Sequence, residues 1–161
     1  MMQCVKPEKH HLLEVMEWVR SPKVFEIWAG PGFRFPFTAD TFIEDLKLDE
    51  LHSRVLIDTS QEPHQVVAFG QTYQRLGHTH LGRLVVKPDV QGQGIGQALI
   101  EQLMKLGDEL LDSNGYSLFV LKANARAKNL YLKLGFNVAE YPEIMPLPDC
   151  LYMVKDDDSM L

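Results

Sequence analysis

Residues Leu84 to Gly96, LVVKPDVQGQGIG, constrain the fold more than any other stretch of the chain. Apolar residues come first, then a Lys-Pro break. Glycines at positions 92, 94 and 96 follow, at the head of the stripe Ile95, Leu99, Leu103, Leu106 and Leu110. That order spells strand, turn and glycine-opened helix. Glycines let backbone N–H groups approach a ligand closely, and a helix N-terminus adds partial positive charge. A phosphate or pyrophosphate is the natural guest. The dinucleotide grammar G-x-G-x-x-G fails here, because Gln97 and Leu99 stand where its last small residue belongs. No Gly-Lys-Ser/Thr tripeptide opens the helix, so a P-loop fails too. Taken alone, the loop is equally consistent with a turn that binds nothing.

The flanking pattern supplies the architecture. Residues 54–58, 65–74 and 78–87 read as strands, joined by turns at Pro63 and at Arg75-Leu76-Gly77. The Ile95–Leu110 helix, a strand at Tyr116–Leu121, a helix at Ala125–Leu134 and closing strands at 135–141 and 150–154 follow. Upstream, Leu12, Leu13, Val15, Met16 and Val19 mark a helix beginning after Pro7 and ending at Ser21-Pro22. Trp28 to Phe37 is a loop of glycine, proline and aromatics, and a short helix capped by Thr38 comes next. A strand meander passing into alternating strands and helices predicts a mixed α/β sheet. It predicts one domain over 1–155 and an acidic tail over 156–161.

A second motif narrows the reading. Gln91-Gly92-Gln93-Gly94-Ile95-Gly96 fits Q/R-x-x-G-x-G/A, and Asn124 to Phe136 fits N-x-x-A-x-x-L-Y-x-x-x-G-F at every specified position. The pair, in this order with a strand and helix between, resembles the GNAT N-acetyltransferase superfamily over residues 54–154. The resemblance implies a mixed, mostly antiparallel sheet of six to seven strands with about four helices, splayed at an acetyl-CoA site. It implies that Leu84, Val85 and Val86 line the pantetheine and that Gln91, Gly92, Gln93, Gly94, Ile95 and Gly96 hold the pyrophosphate. Asn124, Ala127 and Tyr131 would complete the cosubstrate site.

The implied reaction is direct acetyl transfer to an amine, with no metal. Tyr131 would be the acid. An ordinary phenol near pKa ~10 lies close to a thiol near ~8.5, so the proton mismatch is small. His78 and His80, two apart on one strand face, are candidate bases, with Glu26 a weaker one. The same two histidines also suggest a His-x-His metal site, which would need further ligands, and solvated or edge-strand histidines are the plain alternative. Trp28, Phe33 and Arg34 are expected to touch the acceptor, with Glu140 and Glu143 on the opposite wall.

Charge bears on partners. Over 161 residues, 16 Lys and Arg face 22 Asp and Glu, a net charge of −6 that counts against nucleic acid. Residues 113–139 contain Lys122, Arg126, Lys128 and Lys133 with no acid, and an anionic cosubstrate is expected there. The acidic remainder suggests a cationic small-molecule amine as acceptor. A protein N-terminus or lysine, or a CoA-binding sensor without activity, are the alternatives. Cys4 and Cys150 are too far apart in sequence for a zinc ribbon, no apolar run suits a membrane, and the N-terminus lacks a secretory pattern. A cytoplasmic protein is expected, and a homodimer is compatible with the resemblance.

Overall fold

The computed structural model describes residues 1–156, so all of the acidic tail after Asp156 lies outside the described residues. The strands are β1 (Met2–Val5), β2 (His52–Asp58), β3 (Gln65–Arg75), β4 (His78–Val86), β5 (Gly115–Leu121), β6 (Asn137–Ala139) and β7 (Cys150–Asp156). The helices are α1 (Lys9–Trp18), α2 (Pro22–Ala29), α3 (Ala39–Asp45), α4 (Ile95–Leu110) and α5 (Ala125–Lys133). One seven-stranded sheet runs in the order β1-β2-β3-β4-β5-β7-β6. Every pair is antiparallel except β4 with β5. The architecture is the mixed sheet expected from sequence, with five helices instead of about four.

The extra helix is α2. Ser21-Pro22 does end α1, but Pro22 also opens a new helix, where a missing N–H costs nothing. Trp28 and Ala29 therefore lie in a helix, and the aromatic loop begins at Gly30. At the other end of α1, Glu8 is the cap and Pro7 stands outside it. Glu8 accepts from the backbone of His11, whose ring accepts from the Glu8 N–H.

Alternation along the strands sorts side chains between two cores. On one face, Val55, Ile57 and Phe69 pack under Leu12, Val15, Phe25, Phe42 and Leu46 of the first three helices and the residue after α3. On the other, Leu81, Leu118 and Met153 pack under Ile95, Leu99 and Leu103 of α4, with Phe136 after α5. Each fully buried Leu or Phe contributes roughly 1.5–3 kcal/mol. Leu76 and Gly77, both at positive φ, form the tight turn between β3 and β4.

Two irregularities in β4 shape the centre of the sheet. Its pairing with β5 covers only Thr79, His80 and Leu81, opposite Tyr116, Ser117 and Leu118. From there to Val86, β4 has no pairing to β5. Against β3, Gln71 faces Gly82 and Phe69 faces Val85, so Gly70 stands opposite both Arg83 and Leu84. This is a β-bulge, with Arg83 at φ 49. Leu84, Val85 and Val86 are only partly buried despite their central strand.

Candidate active site

The wedge between β4 and β5 opens toward the N-terminus of α4. That helix starts at Gly94, φ 80, and no side chain caps it, so its first-turn N–H groups have no intrahelical or side-chain acceptor. Gln91 donates to the Val86 carbonyl at 3.4 Å, tying the loop to the end of β4. Gly92 has φ 86, and a Cβ built on it would stand 2.5 Å from Nη2 of Arg126. The guanidinium therefore lies directly over the loop. Unfilled N–H donors, a helix N-terminus and an adjacent cation form a fitting cradle for a pyrophosphate. Arg126 was legible only as part of a positive stretch, because its approach to Gly92 is tertiary.

Asn124 caps α5, its side-chain oxygen accepting from the Ala127 N–H at 3.1 Å. Tyr131 lies on the inner side of α5 against the second core, its ring 6.2 Å from that of Phe136. Its hydroxyl has no protein hydrogen-bond partner among the described residues, and burial pushes its pKa up to about 12. The mismatch with an ordinary thiol is therefore wider than the sequence suggested. The phenol keeps its proton across the working pH range.

His78 and His80 do lie on one face, opposite Arg75 and Tyr73 of β3. They differ in every other respect. His80 is 1% exposed, shares a 2.8 Å hydrogen bond with Ser117 Oγ and packs edge-on against Phe119 at 4.7 Å. Burial, then Arg75, Arg83 and His78, lowers its pKa to about 3. It is a neutral ring within a central strand, neither solvated nor at an edge. His78 lies in a surface depression with Leu76, Glu140 and Tyr152, next to β6. Among the described residues, the one group of three with metal-ligand spacing is Glu8, His10 and His11, remote in sequence from both.

The expected acceptor wall divides. Trp28 stacks on Phe42 at 5.8 Å in the first core, with its indole N–H buried and without an acceptor among the described residues. Phe33 packs at the edge of that core, under the guanidinium of Arg83 at 4.8 Å. Arg34 is engaged elsewhere: it forks onto Asp45 at 2.8 Å and reaches Glu44, tying the loop to α3. Glu26, Glu140 and Glu143 are exposed. Sequence reasoning missed Arg83. Its Nε donates to the Ala29 carbonyl and its Nη1 to Gln71 Oε1, while Gln71 donates to the Leu46 carbonyl and to Ser53. The available signal was Gln71, a polar residue closing the apolar run from Val66 to Gly70.

A sheet opened between two parallel strands, with a glycine-rich, uncapped helix at the mouth, defines an acyl-CoA-type binding fold. The chain belongs to the acetyltransferase (GNAT) family, whose sequence profile matches residues 13–136. It is similar to the peptidyl-lysine N-acetyltransferase YjaB of Escherichia coli K12, 31% identical over 127 residues, covering 79% of this chain and 76% of that one. It is also similar to the ribosomal protein bS18-alanine N-acetyltransferase of E. coli K12, 40% identical over 77 residues, 47% of this chain and 50% of that one. The solved structure of the E. coli bS18-alanine enzyme superposes with TM-score 0.63 and 26% identity, over 97% of this chain and 94% of that one. The PaiA N-acetyltransferase of Thermoplasma acidophilum, solved with coenzyme A, shares the fold at TM-score 0.72 and 17% identity, covering 98% and 99%. The chain is thus a GNAT N-acetyltransferase, and acetyl-CoA is the cosubstrate typical of that family. Among the described residues no helix is long and apolar enough to cross a membrane.

Proposed function

We propose that this acetyltransferase acts on the α-amine of a peptide or protein N-terminus. The observation that carries this reading is the burial of His80, 1% exposed and hydrogen-bonded to Ser117 at 2.8 Å in the middle of the sheet. A ring with pKa about 3 cannot keep a proton taken from an amine at neutral pH. Arg75 and Arg83 nearby favour the uncharged form of an incoming amine instead. The acceptor must then react through whatever fraction of it is already neutral. An N-terminal amine near pKa ~8 is about a tenth neutral at pH 7, whereas a lysine near ~10.4 is neutral in only a few parts in ten thousand. Water carries the amine proton away.

Acetyl-CoA, when bound, supplies an activated acetyl thioester. The loop from Gln91 to Gly96 and Arg126 hold its phosphates. The freed backbone of Leu84, Val85 and Val86 pairs with the pantetheine arm, and an N–H there supports negative charge developing on the acyl oxygen. Asn124 and Ala127 open α5 beside that arm. Tyr131 holds a proton at its hydroxyl for the sulfur. A cationic polyamine or aminoglycoside is less well served, because neither Arg75 nor Arg83 has a carboxylate at ion-pair distance among the described residues.

A second reading, acetylation of peptidyl lysine, is favoured by the likeness to the lysine acetyltransferase aligned over 127 residues. The test is a turnover screen. It compares an N-terminally free peptide without lysine, its N-blocked lysine-containing counterpart, spermidine and an aminoglycoside. The expected result is highest kcat/KM for the free N-terminus. Preference for the blocked lysine peptide installs the second reading, and preference for spermidine sinks both.

A further inference from the structure

The first three helices cover β1 to β3 on one face, α2 reaches β4 through the Arg83–Ala29 bond, and the face continues past α2 over β5 and β7, where Tyr141 packs on Phe119 and Tyr152. Its floor is aromatic. Tyr73 packs on His80 at 5.4 Å, His80 on Phe119 at 4.7 Å, and Phe119 on Tyr152 at 5.8 Å. Two guanidinium groups adjoin this floor, Arg75 over Tyr73 and Phe119 and Arg83 over Phe33. Arg75 lies 6.0 Å from the Tyr73 ring centroid and 5.2 Å from that of Phe119. Toward the bulge, a Cβ on Gly82 would stand 3.0 Å from the Tyr73 hydroxyl, and Arg83 is the next residue.

Neither cation is neutralised among the described residues. Arg75 makes ring contacts only. Arg83 bonds to a carbonyl and an amide oxygen, both uncharged, and its Nη2 is uncommitted. Arg75 bears on Arg83 as a like charge, and Arg75, Arg83 and His78 bear on His80. No carboxylate is among them. Two guanidiniums without a carboxylate partner, Arg75 over Tyr73 and Phe119 and Arg83 over Phe33, are chemistry for an anion, since a fork of N–H donors matches a carboxylate.

We propose that the acceptor carries a carboxylate close to its reactive amine, and that Arg75 and Arg83 recognise it. Resting on the N-terminal reading above, this names the substrate class as peptides whose first residues include Asp or Glu. The net charge of −6 over the whole chain hides such a site, because among the described residues no carboxylate pairs with either arginine.

The test compares two lysine-free peptides differing only by Asp or Asn at the second position, with wild type and Arg75→Gln. Wild type is expected to favour the Asp peptide at least tenfold in kcat/KM, mostly through KM, with the preference shrinking as KCl rises. Arg75→Gln should bring the ratio of the two peptides close to one. Arg83→Gln should do the same if it folds, and Arg75→Gln decides if it does not. Equal use of both peptides by wild type, or an undiminished ratio in Arg75→Gln, overturns the anionic acceptor while the N-terminal reading stands. Transfer to neither, with the N-blocked lysine peptide or spermidine acetylated instead, overturns both.

Discussion

The guanidinium of Arg126 lies against the α-carbon of Gly92, joining the two motifs that stand more than thirty residues apart in the chain. A methyl group at 92 would meet Nη2 at 2.5 Å, on a backbone at φ 86 that side chains rarely adopt. Gly92→Ala therefore displaces the cation and strains the loop together. The expected outcome is a rise of about tenfold or more in the acetyl-CoA dissociation constant, ~1.4 kcal/mol. Calorimetric titration checks it, and unchanged affinity would remove the loop from the phosphate site.

Replacing Tyr131 with Phe deletes the hydroxyl and keeps the ring against Phe136. A fall of roughly a hundredfold or more in kcat is expected, the range for loss of a proton donor. With its pKa pushed up to about 12, the phenol does not ionise between pH 6 and 10. The pH dependence of kcat in that interval should therefore keep its shape in Tyr131→Phe. A limb that disappears with the hydroxyl would show that the phenol titrates there after all.

His80 governs a pH effect on stability. Its folded pKa, about 3, lies below the ordinary value of 6.5. Above that ordinary value neither folded nor unfolded chain binds the proton, and His80 adds no slope. Below it, the unfolded chain is protonated and the folded one is not, so stability falls with acid by up to ~1.4 kcal/mol per pH unit until about pH 3. His80→Gln should be slightly less stable at pH 7, through loss of the Ser117 bond. It should lose less than wild type on going to pH 4.5. Urea titrations at the two pH values decide, and parallel losses would contradict the buried neutral ring.

Gln71 is fully buried and binds three elements at once: the Leu46 carbonyl at 2.8 Å, Ser53 at 2.9 Å and Arg83 at 2.9 Å. Gln71→Leu fills the same space and orphans all three. A destabilisation of roughly 2–4 kcal/mol is expected, since each buried group left unpaired costs about 1–3 kcal/mol. Because Arg83 also holds Ala29, the KM for the acceptor should rise as well. Loss of stability with an unaltered acceptor KM would separate the network from the pocket.

Local signals carried much of this fold. Period-two alternation and the turns at Pro63 and Gly77 located β2, β3 and β4 to within two residues, and the four-residue apolar steps located α4. Of β1 only a strand at Cys4 is readable from sequence, because four mostly exposed residues acquire a partner only from β2, some fifty positions away. Pro22 was ambiguous in itself, since proline both ends one helix and opens the next. In the site, the glycine loop was legible from conformational need alone. Arg83 was not, because its role depends on a bulge created by register. The state of His80 depends on burial between Phe119 and Ser117, and neither neighbour is near it in sequence.

Only three residue pairs, Thr79 to Leu81 against Tyr116 to Leu118, stitch β4 to β5. Mechanically, the sheet is two plates sharing one short seam and one core beneath α4. One plate carries Arg75, Arg83 and the aromatic loop; the other carries Phe119 and Tyr152. A molecule wedged beyond the seam would set the angle between the plates. A cosubstrate held in that gap would act as a spacer, and would tune the width of an acceptor basin on the far side of the strand.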